Sequence, residues 1–126
     1  PVEKMQDFFI RVHKALKLGG RFLFDHYVFD REWAEKHNTS LIKMYSDESI
    51  EIFDEYIYDF QNSVMDCKVR VNGEVVQRFP FRWIASEEFS VIADKTGFTV
   101  EKLFGDFNCG DFKEGCDNQI WILRKT

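Results

Sequence analysis

The sequence predicts an α/β fold that combines parallel strands, an antiparallel last strand and an inserted antiparallel meander. Three observations support this prediction. A helical pattern stops at Gly19-Gly20 and is followed at once by an apolar run, Phe22–Phe24, typical of a buried strand. Two β-rich runs flank Asn72-Gly73, which is a strong hairpin signal. The closing run, Gln119–Lys125, follows a loop without a helix, which predicts a strand antiparallel to the one before it.

The first element is a helix that ends at a glycine pair. Over residues 2–18, apolar side chains recur at the spacing of one helix face, namely Met5, Phe8, Phe9, Val12 and Leu16. Gly19-Gly20 predicts the left-handed turn that ends such a helix. The strand at 21–27 is apolar without interruption at Phe22–Phe24, so we expect it to be buried on both faces, as a central strand between helix layers.

A segment of mixed polar and aromatic residues follows this strand. Asp30 is placed to cap a short helix from Arg31 to Lys36, because its carboxylate accepts the free N–H groups of a first helical turn. Residues 50–83 contain three β-rich runs, and the turn at Asn72-Gly73 joins the last two of them. Pro80 predicts that the third run lies at a sheet edge or in a bulge. We interpret residues 50–83 as an antiparallel insertion.

A helix and two strands close the sequence. Ser86 is predicted to cap a helix over residues 86–96, which Gly97 then ends. Residues 98–104 and 119–125 follow as strands. A strand–helix–strand crossover is right-handed and joins parallel strands, so we expect the strands at 21–27 and 98–104 to be parallel.

Composition limits the possible functions. A length of 126 residues suits one domain or part of one, and we interpret residues 1–126 as a single partial domain. The formal net charge of −5 argues against nucleic-acid partners. No apolar run approaches the ~20 residues of a membrane span, and no secretory signal pattern occurs. The chain starts without an initiator Met, which suggests a fragment or a processed product.

The three cysteines argue against a metal site. Cys67, Cys109 and Cys116 are odd in number and lack the spacing of metal ligands. Reduced thiols are typical of cytoplasmic proteins, so we expect a cytoplasmic location and no bound metal. A disulfide between Cys109 and Cys116 stays an open alternative.

Four segments, in their order along the chain, resemble the C-terminal half of a class I, Rossmann-like S-adenosylmethionine-dependent methyltransferase. They are LKLGG before RFLFD, the meander at 50–83, the run SEEFSVIADKTGFTVEKLFGDF, and the closing QIWILRKT. The resemblance implies that the last strand lies antiparallel between the strands at 21–27 and 98–104. It also implies that the meander is a small extra sheet over the substrate site. The resemblance covers nearly the whole chain.

The resemblance implies S-adenosylmethionine as the cofactor, but the family's glycine-rich turn is absent from these 126 residues. No G-x-G-x-x-G pattern occurs. Gly19-Gly20 ends a helix instead of opening one, so it presents carbonyl groups and not the N–H groups that bind anions. We therefore expect that this chain alone does not bind the cofactor as the family does, and we name no cofactor-binding residues.

Two residues at the end of the first strand are the candidate catalytic residues, Asp25 and His26. Ligands of open α/β sheets bind at the carboxyl ends of the strands, where Asp25 would orient a substrate amine or hydroxyl. The alternative is a carboxylate satisfied by local N–H groups. His26 has the chemistry of a general base, and the alternative is a packed or surface histidine.

Four further residues are candidates for substrate binding: Tyr27, Arg82, Trp83 and Tyr56. Tyr27 follows His26, so the two point to opposite faces if the strand continues. The resemblance implies that Arg82 and Trp83 reach the substrate cleft, whereas an exposed Arg whose stem covers apolar surface is the alternative. Tyr56 shares a strand face with Tyr58, where it either lines the substrate side or packs.

The resemblance predicts methyl transfer to a nitrogen or oxygen of a small molecule, with this chain supplying the substrate side. Such transfer depends mainly on proximity and alignment, so few obligatory catalytic side chains are expected. The alternative is a non-enzymatic binding module that uses the meander as a docking surface. A remnant of a nicotinamide-dependent oxidoreductase is disfavoured by the antiparallel last strand. An unpaired apolar edge on the strand at 21–27 also predicts a homodimer or a strand-swapped assembly.

Overall fold

The computed structural model describes residues 2–126, which form three helices and seven strands. In chain order these are α1 (Val2–Ala15), β1 (Arg21–Tyr27), α2 (Arg31–His37), β2 (Leu41–Ser46), β3 (Glu51–Asp59), β4 (Val64–Val71), β5 (Glu74–Arg82), α3 (Ser86–Lys95), β6 (Phe98–Phe104) and β7 (Asn118–Lys125). The elements fall into two compact units. The first unit holds the residues up to Phe29 and Ile84–Thr126, and the second holds Asp30–Trp83.

The first unit is built on a three-stranded sheet in the order β1-β7-β6. The central strand β7 is antiparallel to both neighbours, so the predicted position and direction of the last strand are confirmed. It follows that β1 and β6 run in the same direction. They do not pair with each other, and among the described residues no two neighbouring strands are parallel.

The turn between α1 and β1 requires glycine at both positions of the pair Gly19-Gly20. The helix ends at Ala15, three residues before the predicted end, and Gly19 has φ +79°, which glycine adopts without strain. A Cβ on Gly20 would lie 2.8 Å from the carbonyl oxygen of Lys17, so only glycine fits there. The Nζ atom of Lys125 donates to the carbonyl oxygens of His13 and Leu16, which satisfies acceptors at the end of the helix.

The core of the first unit lies between one face of this sheet and the helices α1 and α3. Phe9 of α1 is 1% exposed, and its ring lies 5.5 Å from the rings of both Phe22 and Phe24 of β1. Trp121 and Leu123 of β7 are 1% and 0% exposed. The rest of the buried cluster comes from α3 and its flanks, namely Ile84, Phe89, Ile92, Ala93 and Phe98.

The expectation that β1 is buried on both faces is wrong. Its burial alternates, and Leu23, in the middle of the apolar run, is 61% exposed. The reason is that Phe22 and Phe24 face the core with α1 and α3, while alternation places Leu23 on the opposite face. Among residues 2–126, one edge of β1 also has no partner strand in this sheet. The homodimer expected from that edge stays a prediction.

The second unit is a four-stranded antiparallel sheet, β2-β3-β4-β5, with the short helix α2. The predicted cap is confirmed, since Asp30 Oδ1 accepts a hydrogen bond of 3.0 Å from the backbone N–H of Trp33. The predicted hairpin is confirmed as well, with φ of 50° at Asn72 and 85° at Gly73. Pro80 lies in the edge strand β5, as expected. The sequence did not predict β2, an edge strand that is exposed at most positions and therefore shows no alternation.

The cap predicted at the start of α3 is wrong. Ser86 is the first residue of the helix, the N-cap position belongs to Ala85, and no side chain caps the helix there. The Ser86 hydroxyl instead donates to a carboxylate oxygen of Glu87 at 3.3 Å. Gly97 follows the helix with φ +87°, as its position predicted. None of the helices in residues 2–126 combines the length and the apolar character needed to cross a membrane.

Candidate functional site

The candidate site of the first unit is the carboxyl end of β1. Asp25 pairs in register with Ile120 of β7, and its side chain is exposed. His26 pairs with Gln119 and points to the helix side, where its ring lies 5.4 Å from that of Phe89. Asp25 and His26 therefore lie on opposite faces of the strand. The structure does not bring the two predicted catalytic side chains together on one face.

His26 is held in the wall of the core. Its Nε2 atom accepts a hydrogen bond of 3.2 Å from the backbone N–H of Ile84, so the neutral ring carries its proton on Nδ1. Burial lowers the pKa of His26 below its ordinary value of 6.5, and the negative charge of Asp25 partly offsets this effect. The neutral imidazole is therefore the form that this environment favours.

A pH dependence of stability follows from the lowered pKa of His26. In the unfolded chain the imidazole takes up a proton near its ordinary pKa of 6.5, whereas the folded state resists protonation. We expect the contribution of His26 to be complete above pH 6.5 and to decline as the pH falls below it. Urea denaturation at pH 7.5, 6.5 and 5.5 measures this slope.

The matched variant for this measurement is His26→Gln, whose side-chain oxygen can accept the same N–H group without titrating. Its free energy of unfolding is expected to change less than that of the wild type over the same interval. The carboxyl groups with lowered pKa titrate at lower pH, as shown by Asp47, whose pKa is about 2. Equal slopes for the two proteins would contradict the assignment.

Tyr27 is the last residue of β1, so the condition for the expected opposite faces, a continuing strand, is not met. The rings of His26 and Tyr27 lie 5.1 Å apart. Tyr27 is half-buried, and its carbonyl oxygen lies 3.5 Å from the side-chain nitrogen of Gln119. The backbone continues to Val28, whose N–H donates to the carbonyl of Asp117 at 2.9 Å. The end of β1 is thereby fixed against the segment before β7.

A buried glutamine that the sequence analysis did not single out organises this end of the sheet. Gln119 is 1% exposed, and its Nε2 atom donates to the carbonyl oxygen of Ile84 at 2.8 Å. Its Oε1 atom accepts a hydrogen bond of 3.0 Å from the indole N–H of Trp121. Because His26 accepts from the N–H of the same Ile84, the backbone of this residue is held on both sides. No local sequence signal marks Gln119, since its partner Ile84 is 35 positions away.

The other predicted binding residues belong to the second unit. Tyr56 is half-buried on β3, and its hydroxyl donates to Asp54 Oδ2 at 2.9 Å. Burial, and then the hydrogen bond and the charge of Asp54, raise the pKa of Tyr56, so its hydroxyl keeps its proton. Trp83 is 7% exposed, with its ring 6.1 Å from that of Tyr58. Arg82 ends β5 and pairs in register with Val64.

One surface groove of the first unit lies away from these residues. A groove of about 420 Å³ is located at the opposite end of the first sheet and contains none of the predicted site residues. It is lined by Leu18, Gly19, Thr99, Glu101, Arg124, Lys125 and Thr126. Within residues 2–126, no three histidine, cysteine or acidic side chains are arranged to hold a metal ion. Cys67, Cys109 and Cys116 are free thiols.

Solved structures with a similar fold are S-adenosylmethionine-dependent methyltransferases. One from Clostridium acetobutylicum superposes with a TM-score of 0.78 at 14% sequence identity, covering 99% of this chain and 52% of its own. The CcbJ methyltransferase of Streptomyces caelestis gives the same TM-score and identity, covering 99% of this chain and 54% of its own. The chain has the fold of about half of an S-adenosylmethionine-dependent methyltransferase.

A third solved methyltransferase also matches the chain over about half of its own length. It is an amino pentose methyltransferase from Micromonospora echinaspora, solved with S-adenosylmethionine bound, with a TM-score of 0.65 and 12% identity. The match covers 100% of this chain and 52% of the other. The chain thus spans about half the length of the solved structures it matches. No family profile and no curated protein matches the sequence.

Proposed function

We propose that this chain is the C-terminal, substrate-side half of a class I, Rossmann-like methyltransferase that transfers a methyl group from S-adenosylmethionine to a nitrogen or oxygen of a small molecule. The observation that carries the proposal is the sheet order β1-β7-β6 with its central antiparallel strand. The fold matches about half of the length of two solved methyltransferases. The net charge of −5 suits a small-molecule acceptor better than a nucleic acid.

The Gly19-Gly20 turn does not form a cradle for the cofactor. The turn at Gly19-Gly20 is filled by its own backbone, because the Cβ position of Gly20 lies 2.8 Å from a carbonyl oxygen. It also closes a helix, so it offers no free N–H groups to an anionic or carboxylate end of a ligand. In the proposal, a second half of the fold supplies the cofactor site, and the chain described here supplies the acceptor site.

Asp25 is the proposed catalytic residue of this half. Its carboxylate is exposed at the carboxyl end of β1, the position at which open α/β sheets bind ligands. An N–H or O–H group of the acceptor would donate to the carboxylate, and this hydrogen bond would align the nucleophilic lone pair with the incoming methyl group. His26 is a weaker candidate, because its Nε2 lone pair is already used by Ile84. Tyr27, Tyr56, Arg82 and Trp83 remain proposed acceptor contacts.

The test uses the full-length product of the encoding gene. Calorimetry with S-adenosylmethionine and its demethylated product is expected to show binding, and Asp25→Asn is expected to lower kcat/KM by about 10²-fold while cofactor binding stays unchanged. Asp94→Asn, an exposed change on α3, is the matched control and should retain activity. Equal activity of the Asp25 variant and the control would remove Asp25 from the mechanism.

A second candidate function is a non-enzymatic binding module. The unpaired edge of β1 and the 61% exposed Leu23 favour it, since such an edge can pair with a strand of another chain. The same calorimetry separates the two functions. A full-length protein that binds neither S-adenosylmethionine nor its demethylated product would support the module and contradict the enzyme.

A further inference from the structure

The second sheet has an aromatic face, which we define as Trp33, Asp54, Tyr56, Tyr58 and Phe79. Alternation along β3 places Asp54, Tyr56 and Tyr58 on one side, and the register pairs Tyr56 with Cys67 and Cys67 with Phe79. Trp33 of α2 lies over this side, with its ring 5.8 Å from that of Tyr56. Asp54 therefore shares this side of the sheet with aromatic residues, and Tyr56 is the one that it contacts.

The opposite face of the same sheet carries two acidic residues that are paired with cations. Glu55, next to Asp54 in sequence, accepts from Arg70 Nε at 3.2 Å and lies 4.0 Å from Lys68 Nζ. Asp66 on that face accepts from Arg78 Nε at 2.9 Å. Neighbouring cations therefore compensate the charges of Glu55 and Asp66.

Asp54 differs from these acids because no cation accompanies it. Its cross-strand neighbours are Ile42 on β2 and Val69 on β4, which are both apolar. Among residues 2–126 it forms no ion pair, and its single hydrogen bond is the one from the Tyr56 hydroxyl to Oδ2. The side chain is half-buried, so water solvates the carboxylate incompletely. A partly desolvated carboxylate without a counterion is costly unless a ligand supplies the positive charge.

We propose that the aromatic face binds the ammonium group of a small-molecule amine, with Asp54 as its counterion. The Oδ1 atom accepts an N–H of the ammonium group, while the Tyr56 hydroxyl holds Oδ2 in place. Trp33 and Phe79 are 40% and 41% exposed, which leaves the face accessible from solvent.

The inference specifies the class of acceptor for the proposed methyl transfer, and only that link rests on the proposed function. The ammonium group held at Asp54 has no lone pair, so the methyl acceptor is another nitrogen or oxygen of the same molecule. Binding of the ammonium group itself requires neither the cofactor nor any residue of the first unit.

The test is a binding titration of the 126-residue chain at pH 7, followed by NMR, with benzylamine and benzyl alcohol as probes. The two molecules have nearly the same size, but the amine is protonated and the alcohol is neutral. Benzylamine is expected to bind at least about tenfold more tightly than benzyl alcohol. Its binding is expected to change the NMR chemical shifts of residues on the aromatic face. In Asp54→Asn, the affinity for benzylamine should fall to that for the alcohol.

Glu51→Gln provides a matched control, because it removes the same charge from the same strand. Glu51 is exposed, and alternation places it on the face opposite Asp54. This variant should bind benzylamine as the wild type does. The asparagine at position 54 can still accept from Tyr56, so the sheet should fold, as far-UV circular dichroism would show. If the Asp54→Asn variant does not fold, the proposal is tested by comparing the affinities of the wild type for the two probes.

The proposal is overturned if benzylamine and benzyl alcohol bind equally, if neither binds, or if Asp54→Asn binds benzylamine as tightly as the wild type. These outcomes are independent of methyl transfer. A full-length protein without methyltransferase activity would leave the ammonium site intact, and a failed probe titration would leave methyl transfer to other acceptors open.

Discussion

Replacement of Phe9 by alanine is expected to lower the free energy of unfolding by about 3–5 kcal/mol, the usual cost of removing a fully buried aromatic side chain. Phe9 is 1% exposed and lies at the centre of the first unit. Its ring is 5.5 Å from Phe22 and Phe24, and 6.2 Å from Phe89 and Phe98. Alanine would leave a cavity that α1, β1 and α3 could close only by moving towards one another.

Urea denaturation followed by far-UV circular dichroism measures this loss, and hydrogen exchange of the β7 amides assigns it to the first unit. Phe8→Ala is the control, because it removes an adjacent ring that is 50% exposed. We expect this control to cost less than half as much, since less apolar surface is lost from a buried environment. Similar losses for the two variants would show that α1 does not pack with Phe9 inward.

The helix carrying Phe9 was predictable from sequence because its information is local. The apolar spacing from Met5 to Leu16 fixes one helix face, and the glycine pair fixes its end. The antiparallel direction of β7 was also predictable, since a loop without a helix returns the chain in the opposite direction. These features depend on residues close together in the sequence.

Features that depend on which helices cover each face of the sheet were harder to predict from the sequence. The apolar run Phe22–Phe24 fits a strand covered on both sides, yet Leu23 is 61% exposed because α1 and α3 pack on the other face. The cap of α3 failed for a similar reason: the sequence SEEF fits a serine cap, but the helix starts at Ser86 itself. A local sequence pattern indicates which structures a segment can adopt, and the elements packed around it determine which one it adopts.

The candidate site divides in the same way. The position of Asp25 at the carboxyl end of β1 was predictable from its place in the sequence. The shared strand face of Tyr56 and Tyr58 was predictable from the alternation of side chains along a strand. The apolar surroundings of Asp54 could not be read from the sequence, because Ile42 and Val69 become its neighbours only through strand register. The burial of Gln119 was equally hidden, since a polar residue at a strand start is ordinarily taken as exposed.

Replacement of Gln119 by leucine is expected to lower the free energy of unfolding by about 2–4 kcal/mol, although leucine has a similar volume and is apolar. The reason is that two buried partners lose their hydrogen bonds, each at a cost of about 1–3 kcal/mol. The indole N–H of Trp121 loses its acceptor at 3.0 Å, and the carbonyl of Ile84 loses its donor at 2.8 Å. Trp121 is 1% exposed, so water cannot replace the lost acceptor.

A double-mutant cycle separates this explanation from a simple loss of packing. Trp121→Phe removes the indole N–H, so in the double variant no donor is left unpaired and the combined loss should be about 1 kcal/mol smaller than the sum of the single losses. Gln77→Leu, an exposed change on β5, is the control and should stay within about 0.5 kcal/mol of the wild type. Additive losses would mean that the Gln119–Trp121 hydrogen bond does not contribute to stability. A coupled result would show that it does, in a residue that also donates to the carbonyl of Ile84, whose N–H group is bound by His26 at the end of β1, where the exposed carboxylate of Asp25 lies.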